Sequence, residues 1–134
     1  MTPPIKLSSH SIFAISRMTH SHYDFLIGCC YGLVHVKLDF KYQLFERNCF
    51  LPKTSIRSIA PLPENTPDTY LLASDQLGLF AFNTNSNSFL YTLDLPSPLV
   101  TKIIGPFNYN LSTFSDLYLI RTKQSLYLMD LSDR

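Results

Sequence analysis

At 134 residues, with 46% hydrophobic and 13% aromatic residues but only 16% charged, the chain has the length and apolar content to bury the core of one domain. Eleven Lys and Arg against ten Asp and Glu leave a formal charge of +1, spread along the sequence, which excludes a nucleic-acid-binding stripe and a polybasic membrane patch. The longest nearly apolar run, 25–34, contains Gly28 and Gly32 and is about half of the ~20 residues that span a bilayer as a helix, so no membrane span is expected.

The opening stretch, Met1-Thr2-Pro3-Pro4-Ile5-Lys6, lacks the basic region and long apolar segment of a signal peptide, and the expected compartment is the cytoplasm. Ile5-Lys6-Leu7-Ser8 is a short candidate strand. After it, Ser11-Ile12-Phe13-Ala14-Ile15 begins a pattern that returns as Ser55-Ile56-Arg57-Ser58-Ile59 and as Leu99-Val100-Thr101-Lys102-Ile103. Ile12, Ile56 and Val100 are each 44 residues apart (56 − 12 and 100 − 56), a period that marks stacked repeat units.

Each copy continues in the same order. Phe25-Leu26-Ile27 leads through a short turn to Gly32-Leu33-Val34-His35-Val36, then to Tyr42-Gln43-Leu44-Phe45. In the second copy the counterparts are Tyr70-Leu71-Leu72, Gly78-Leu79-Phe80-Ala81-Phe82 and Ser88-Phe89-Leu90-Tyr91. The third has Tyr118-Leu119-Ile120 and Ser125-Leu126-Tyr127-Leu128-Met129, and then ends without a fourth run. These runs, rich in β-branched and aromatic residues and separated by turn formers such as those of 61–67 and 83–87, read as strands. No long window carries helical periodicity, so no helix is expected.

The middle runs are apolar on consecutive residues, the mark of strands covered on both faces. Radially stacked blades ask this of their central strands, whereas a two-layer sandwich gives cleaner alternation. The expected fold is therefore all-β: three four-stranded antiparallel propeller-type blades at about 11–48, 55–94 and 99–134, with the last lacking its outer strand. Residues 5–8, or a partner chain, would complete that last blade. Exposed strand edges and blade faces invite association, so self-association or a protein partner is expected.

The run Asp24-Phe25-Leu26-Ile27-Gly28 followed by Gly32-Leu33-Val34, with its echo Tyr70-Leu71-Leu72-Ala73-Ser74 and Gly78-Leu79-Phe80, resembles β-propeller blades of the citron-homology type. It is WD-repeat-like in its order of strands, but without any Trp it lacks the tryptophan-aspartate signature. The resemblance implies a protein-binding scaffold that recruits small GTPases or joins vesicle-tethering or kinase assemblies. A structural subunit of a large complex is the alternative.

Few residues point to chemistry. His20, His22 and Asp24 place two imidazoles and a carboxylate within one short turn, which would contribute to a metal-dependent or enzymatic propeller, but a closed metal site needs about four ligands. A polar turn is the plainer reading, and no metal site or cofactor is assigned. Cys29, Cys30 and Cys49 are an odd number without a secretion signal, which favours reduced, buried thiols over a disulfide; adjacent cysteines lack the C-x-x-C bite of zinc sites. Asn110-Leu111-Ser112 fits a glycosylation acceptor that only a secretory route would use. His10 and His35 are isolated, and no nucleophile elbow, phosphate loop or paired carboxylates accompany them, so no catalytic residue is assigned. Asp24, Asp68 and Asp116 each precede a second strand, where an Asp side chain fixes a turn by accepting backbone N–H groups.

Overall fold

The computed structural model describes Pro4 and residues 11–18, 21–62, 67–96, 99–107 and 117–131. Within them the chain is all-β, with eleven strands and no helix. Consequently no helix there is long and apolar enough to cross a membrane. The 5–8 strand, His10, His20, Asn110 and Asp116 lie outside the described residues.

The strands form three antiparallel sheets, each a meander in chain order. The first holds β1 (Ile12–Arg17), β2 (Asp24–Cys29), β3 (Gly32–Leu38) and β4 (Leu44–Phe50). The second holds β5 (Ile56–Pro61), β6 (Thr69–Ser74), β7 (Gly78–Asn83) and β8 (Ser88–Leu93). β9 (Val100–Phe107), β10 (Leu117–Thr122) and β11 (Leu126–Asp130) make the third, and β11 is its edge among the described residues.

The ladders show the repeat in three dimensions. Cys29 pairs with Gly32 and Ser74 with Gly78, while Ile15, Ile59 and Ile103 pair with Ile27, Leu72 and Ile120. The sheets lie face to face, with β1 and β2 against β5, and β5 and β6 against β9. Each sheet therefore has a trailing face towards its predecessor and a leading face towards its successor. Leu26 and Leu33 of the first leading face pack on Tyr70, Leu72, Phe80 and Phe82 of the second trailing face. Leu71, Ala73, Leu79 and Ala81 of the second leading face pack on Ile103, Tyr118 and Ile120 of the third trailing face.

Burial on both faces holds for the middle sheet, where every residue of β6 is buried. It fails in the third sheet, where β11 alternates between exposed and half-covered positions, because among the described residues one sheet alone packs against it. Two strand bounds differ from expectation. β4 begins at Leu44 and continues through exposed Glu46, Arg47 and Asn48 to Phe50, so the first unit runs past residue 48. Polar residues on an edge strand carry no apolar signal. Tyr42 belongs to the preceding turn, with a left-handed φ of 61°, where Asp39 Oδ1 accepts the N–H groups of Lys41 and Gln43 at 2.9 and 2.8 Å.

Close approach of the first two sheets depends on glycine. A Cβ on Gly28 would lie 2.6 Å from the Ile56 carbonyl oxygen and 2.9 Å from Ile56 Cγ2, inside any van der Waals contact. The second and third sheets are joined by polar contacts as well: the Ile103 N–H donates to Ser58 Oγ at 2.9 Å, and the Tyr118 hydroxyl donates to the Pro61 carbonyl at 2.8 Å.

Candidate binding cleft

The first strand of each sheet carries a β-bulge at the same place. The ladder shifts between Ile12 and Ala14, between Ile56 and Ser58, and between the Val100 and Lys102 pairings, leaving Phe13, Arg57 and Thr101 as the extra residues. A bulge re-aims the side chain that it frees. Here Phe13, Arg57 and Thr101 line one cleft of about 800 Å³.

Turn residues from the second and third sheets complete the cleft: Asp75 and Lys123, with Ile12 and Leu99 at its walls. In these two sheets the hydroxyl that ends the second strand builds the turn that presents them. Ser74 Oγ accepts the N–H groups of Gln76 and Leu77 at 3.1 and 3.2 Å. Thr122 Oγ1 accepts those of Gln124 and Ser125 at 3.3 and 3.0 Å. Gln76 Oε1 in turn accepts from the Ser55 N–H and hydroxyl at 3.0 and 3.1 Å, tying this turn to the start of β5.

Arg57 is the best-held side chain of the cleft. Its Nε and Nη2 both donate to Asp75 Oδ2, at 2.9 and 2.8 Å, and its guanidinium lies 4.3 Å from the centre of the Phe13 ring, a cation–π distance. The Arg57 hydrogen bonds hold the Asp75 carboxyl below its ordinary range, and the same bonds push the Arg57 guanidinium further up. Arg121 Nε donates to Thr101 Oγ1 at 3.0 Å, and that hydroxyl donates to the Arg121 carbonyl at 3.1 Å. The cleft thus offers an aromatic face, a fixed ion pair and the Lys123 cation. Such a mixture can hold a polypeptide side chain or an extended segment, but it has no nucleophile paired with a base.

The histidines and acids singled out in the sequence lie elsewhere. Asp24 Oδ1 meets His35 Nε2 at 2.8 Å, while Asp24 Oδ2 accepts the Ser21 hydroxyl at 2.5 Å. The serine bonds directly to the carboxylate, so the imidazole cannot take its proton, and the trio clamps the β1–β2 turn to β3. His22 is exposed and Asp24 is already engaged on both oxygens; among the described residues no group of three or more His, Cys, Asp or Glu is placed to hold a metal ion. Asp24 and Asp68 are not equivalent. Asp24 is the first residue of β2, paired with Lys37 as Thr69 is with Asn83, whereas Asp68 precedes Thr69 with a left-handed φ of 61°. Its carbonyl accepts the Thr84 N–H and hydroxyl.

All three thiols are free, as expected, but only Cys29 is buried. Cys30 follows it into the exposed turn at the position of Asp75 and Lys123. Cys49 belongs to β4 and not to the connection between sheets, and partial desolvation, with the Glu46 carboxylate nearby, raises its thiol above the ordinary value. No signal in the sequence marked Phe13, Arg57 or Thr101 as site residues beyond their equal spacing. No protein-family model and no curated protein sequence matches the chain.

Proposed function

We propose that the chain is a non-catalytic protein-binding scaffold built of propeller blades, which receives its partner in the cleft at the starts of β1, β5 and β9. The observation that carries this reading is the repeated bulge, which sends Phe13, Arg57 and Thr101 from three successive sheets into one cleft. A rigid support with an aromatic and Arg anchor has the composition of an interface hot spot. The resemblance to citron-homology-type blades directs the first trial to small GTPases and to trafficking or kinase assemblies.

The reading is tested by immobilising the full chain and titrating purified small GTPases in their GDP and GTP-analogue states. Binding by one of them is expected to weaken by about 2 kcal/mol or more in Arg57→Ala, and to remain unchanged in Lys41→Ala, an exposed position remote from the cleft. If no GTPase binds, proximity labelling in cells takes its place, and the labelled set is expected to shrink for Arg57→Ala but not for Lys41→Ala. A labelled set identical for both variants would overturn the cleft as the binding site.

A further inference from the structure

The cleft has a second hollow beside it, at the same end of the sheets. A pocket of about 250 Å³ is lined by Leu79, Leu93 and Val100, all buried, with Leu77, Leu95 and Asp94 around them. Its volume lies below the ~300–1,000 Å³ of small-molecule sites and admits one large apolar side chain. Two pieces of chain divide it from the cleft. Leu99 lines the cleft and the next residue, Val100, lines the pocket. Likewise Asp75 lines the cleft, and Leu77, from the same β6–β7 turn, lines the pocket.

The charges of the cleft are not balanced. Arg57 is engaged with Asp75 through two hydrogen bonds. Lys123, on the β10–β11 turn, has no hydrogen bond or ion pair among the described residues. It acts on Asp75 through its charge alone, a minor cause beside the Arg57 bonds that foremost hold this carboxyl low. Arg121, whose Nε donates to Thr101, adds a cation beside the cleft. Three cations, Arg57, Lys123 and Arg121, thus accompany one carboxylate that is already engaged. At the pocket the exposed charge is instead the Asp94 carboxylate. An anion is therefore favoured in the cleft and repelled at the pocket, and complementarity of this kind sets the register of a ligand.

We propose that the partner enters as an extended polypeptide segment, which sets an Asp or Glu side chain against Lys123 in the cleft and a Leu, Ile or Phe side chain in the neighbouring pocket. This rests on the protein-binding reading above and adds to it the chemistry of the partner. The two hollows lie on either side of one thickness of chain, about 10 Å at the ~4.8 Å spacing of neighbouring chains, and about three residues of extended chain at ~3.3 Å each span that distance. The acid and the apolar residue of the segment therefore stand about three positions apart.

Random peptides displayed on phage and selected on the immobilised full chain test this. The selected sequences are expected to share an acid about two to four positions from a large apolar residue. One of them, synthesised with a fluorescent label, is expected to lose affinity about three- to fivefold, the scale of an exposed ion pair, when its acid is replaced by Gln. Lys123→Gln is expected to cause the same loss, with no further loss when the two changes are combined, and Lys123→Glu to prefer the peptide carrying Lys in place of the acid. Leu77→Asp, at a position 41% exposed, is expected to weaken binding with the circular dichroism of the parent, and Lys41→Ala to leave binding unchanged. A selection without a shared acid, a Gln peptide that binds as well as its parent, or losses that add in the combined change overturn the proposal. The two failures are separable. A selected peptide weakened by Arg57→Ala but indifferent to Lys123→Gln sinks this proposal and leaves the cleft as the binding site, whereas indifference to Arg57→Ala sinks both.

Discussion

One position, read through its three copies, shows how side-chain size follows cover. Gly28, Ala73 and Arg121 are equivalent leading-face residues of the three second strands. Glycine stands where the Ile56 backbone approaches closest, alanine where the third sheet covers it, and arginine where no described sheet follows. Gly28→Val therefore has to push the first two sheets apart, and overpacking of this kind costs about 1–3 kcal/mol. Urea denaturation is expected to show a lowered midpoint for Gly28→Val and near-normal stability for Arg121→Val; equal midpoints for both would contradict the close approach. Asp24 supplies a pH dependence at the same scale. The Ser21 hydroxyl foremost, and His35 after it, hold its carboxyl below the ordinary value. A depressed folded-state value means that the contribution is complete above the ordinary carboxylate value and is lost as pH falls through the lowered one. Acid denaturation followed by circular dichroism is expected to be less steep in Asp24→Asn, and Ser21→Ala is expected to raise the Asp24 titration seen by NMR. An unmoved titration in Ser21→Ala would remove the serine from that role.

At the scale of elements, the strand order and period were legible because apolar side chains on consecutive residues are a direct consequence of cover on both faces. The bulges were not legible, since a bulge is a property of the ladder, two residues facing one, and neither Phe13, Arg57 nor Thr101 shares a side-chain type that would betray it. The one-residue offset between Asp24 and Asp68 was hidden for a similar reason: turns of unequal length precede β2 and β6, and only the pairings of Asp24 with Lys37 and Thr69 with Asn83 fix the alignment. Of the His20, His22 and Asp24 grouping, His20 lies outside the described residues, Asp24 is turned to Ser21 and His35 and His22 is exposed. Contacts between elements are testable one at a time. Ser58→Ala leaves the buried Ile103 N–H without its side-chain acceptor, and an unmet buried donor costs about 1–3 kcal/mol. Ser58→Ala is expected to lower thermal stability accordingly, while Ser86→Ala, in an exposed turn, leaves it unchanged.

For the whole molecule, the consequence of stacking is a gradient of protection from the centre outwards. A strand opens to exchange more rarely the more apolar surface its opening exposes. β6 is buried along its full length between two neighbouring strands and two neighbouring sheets, so its opening exposes the most. β11 has one strand neighbour among the described residues and one open face, and the edge strand β1 carries Ile15 exposed. Native-state hydrogen exchange of dilute protein is expected to rank β6 and β7 slowest, at the rate of global unfolding, with β11 fastest. Protection of β11 equal to that of β6 would contradict this gradient.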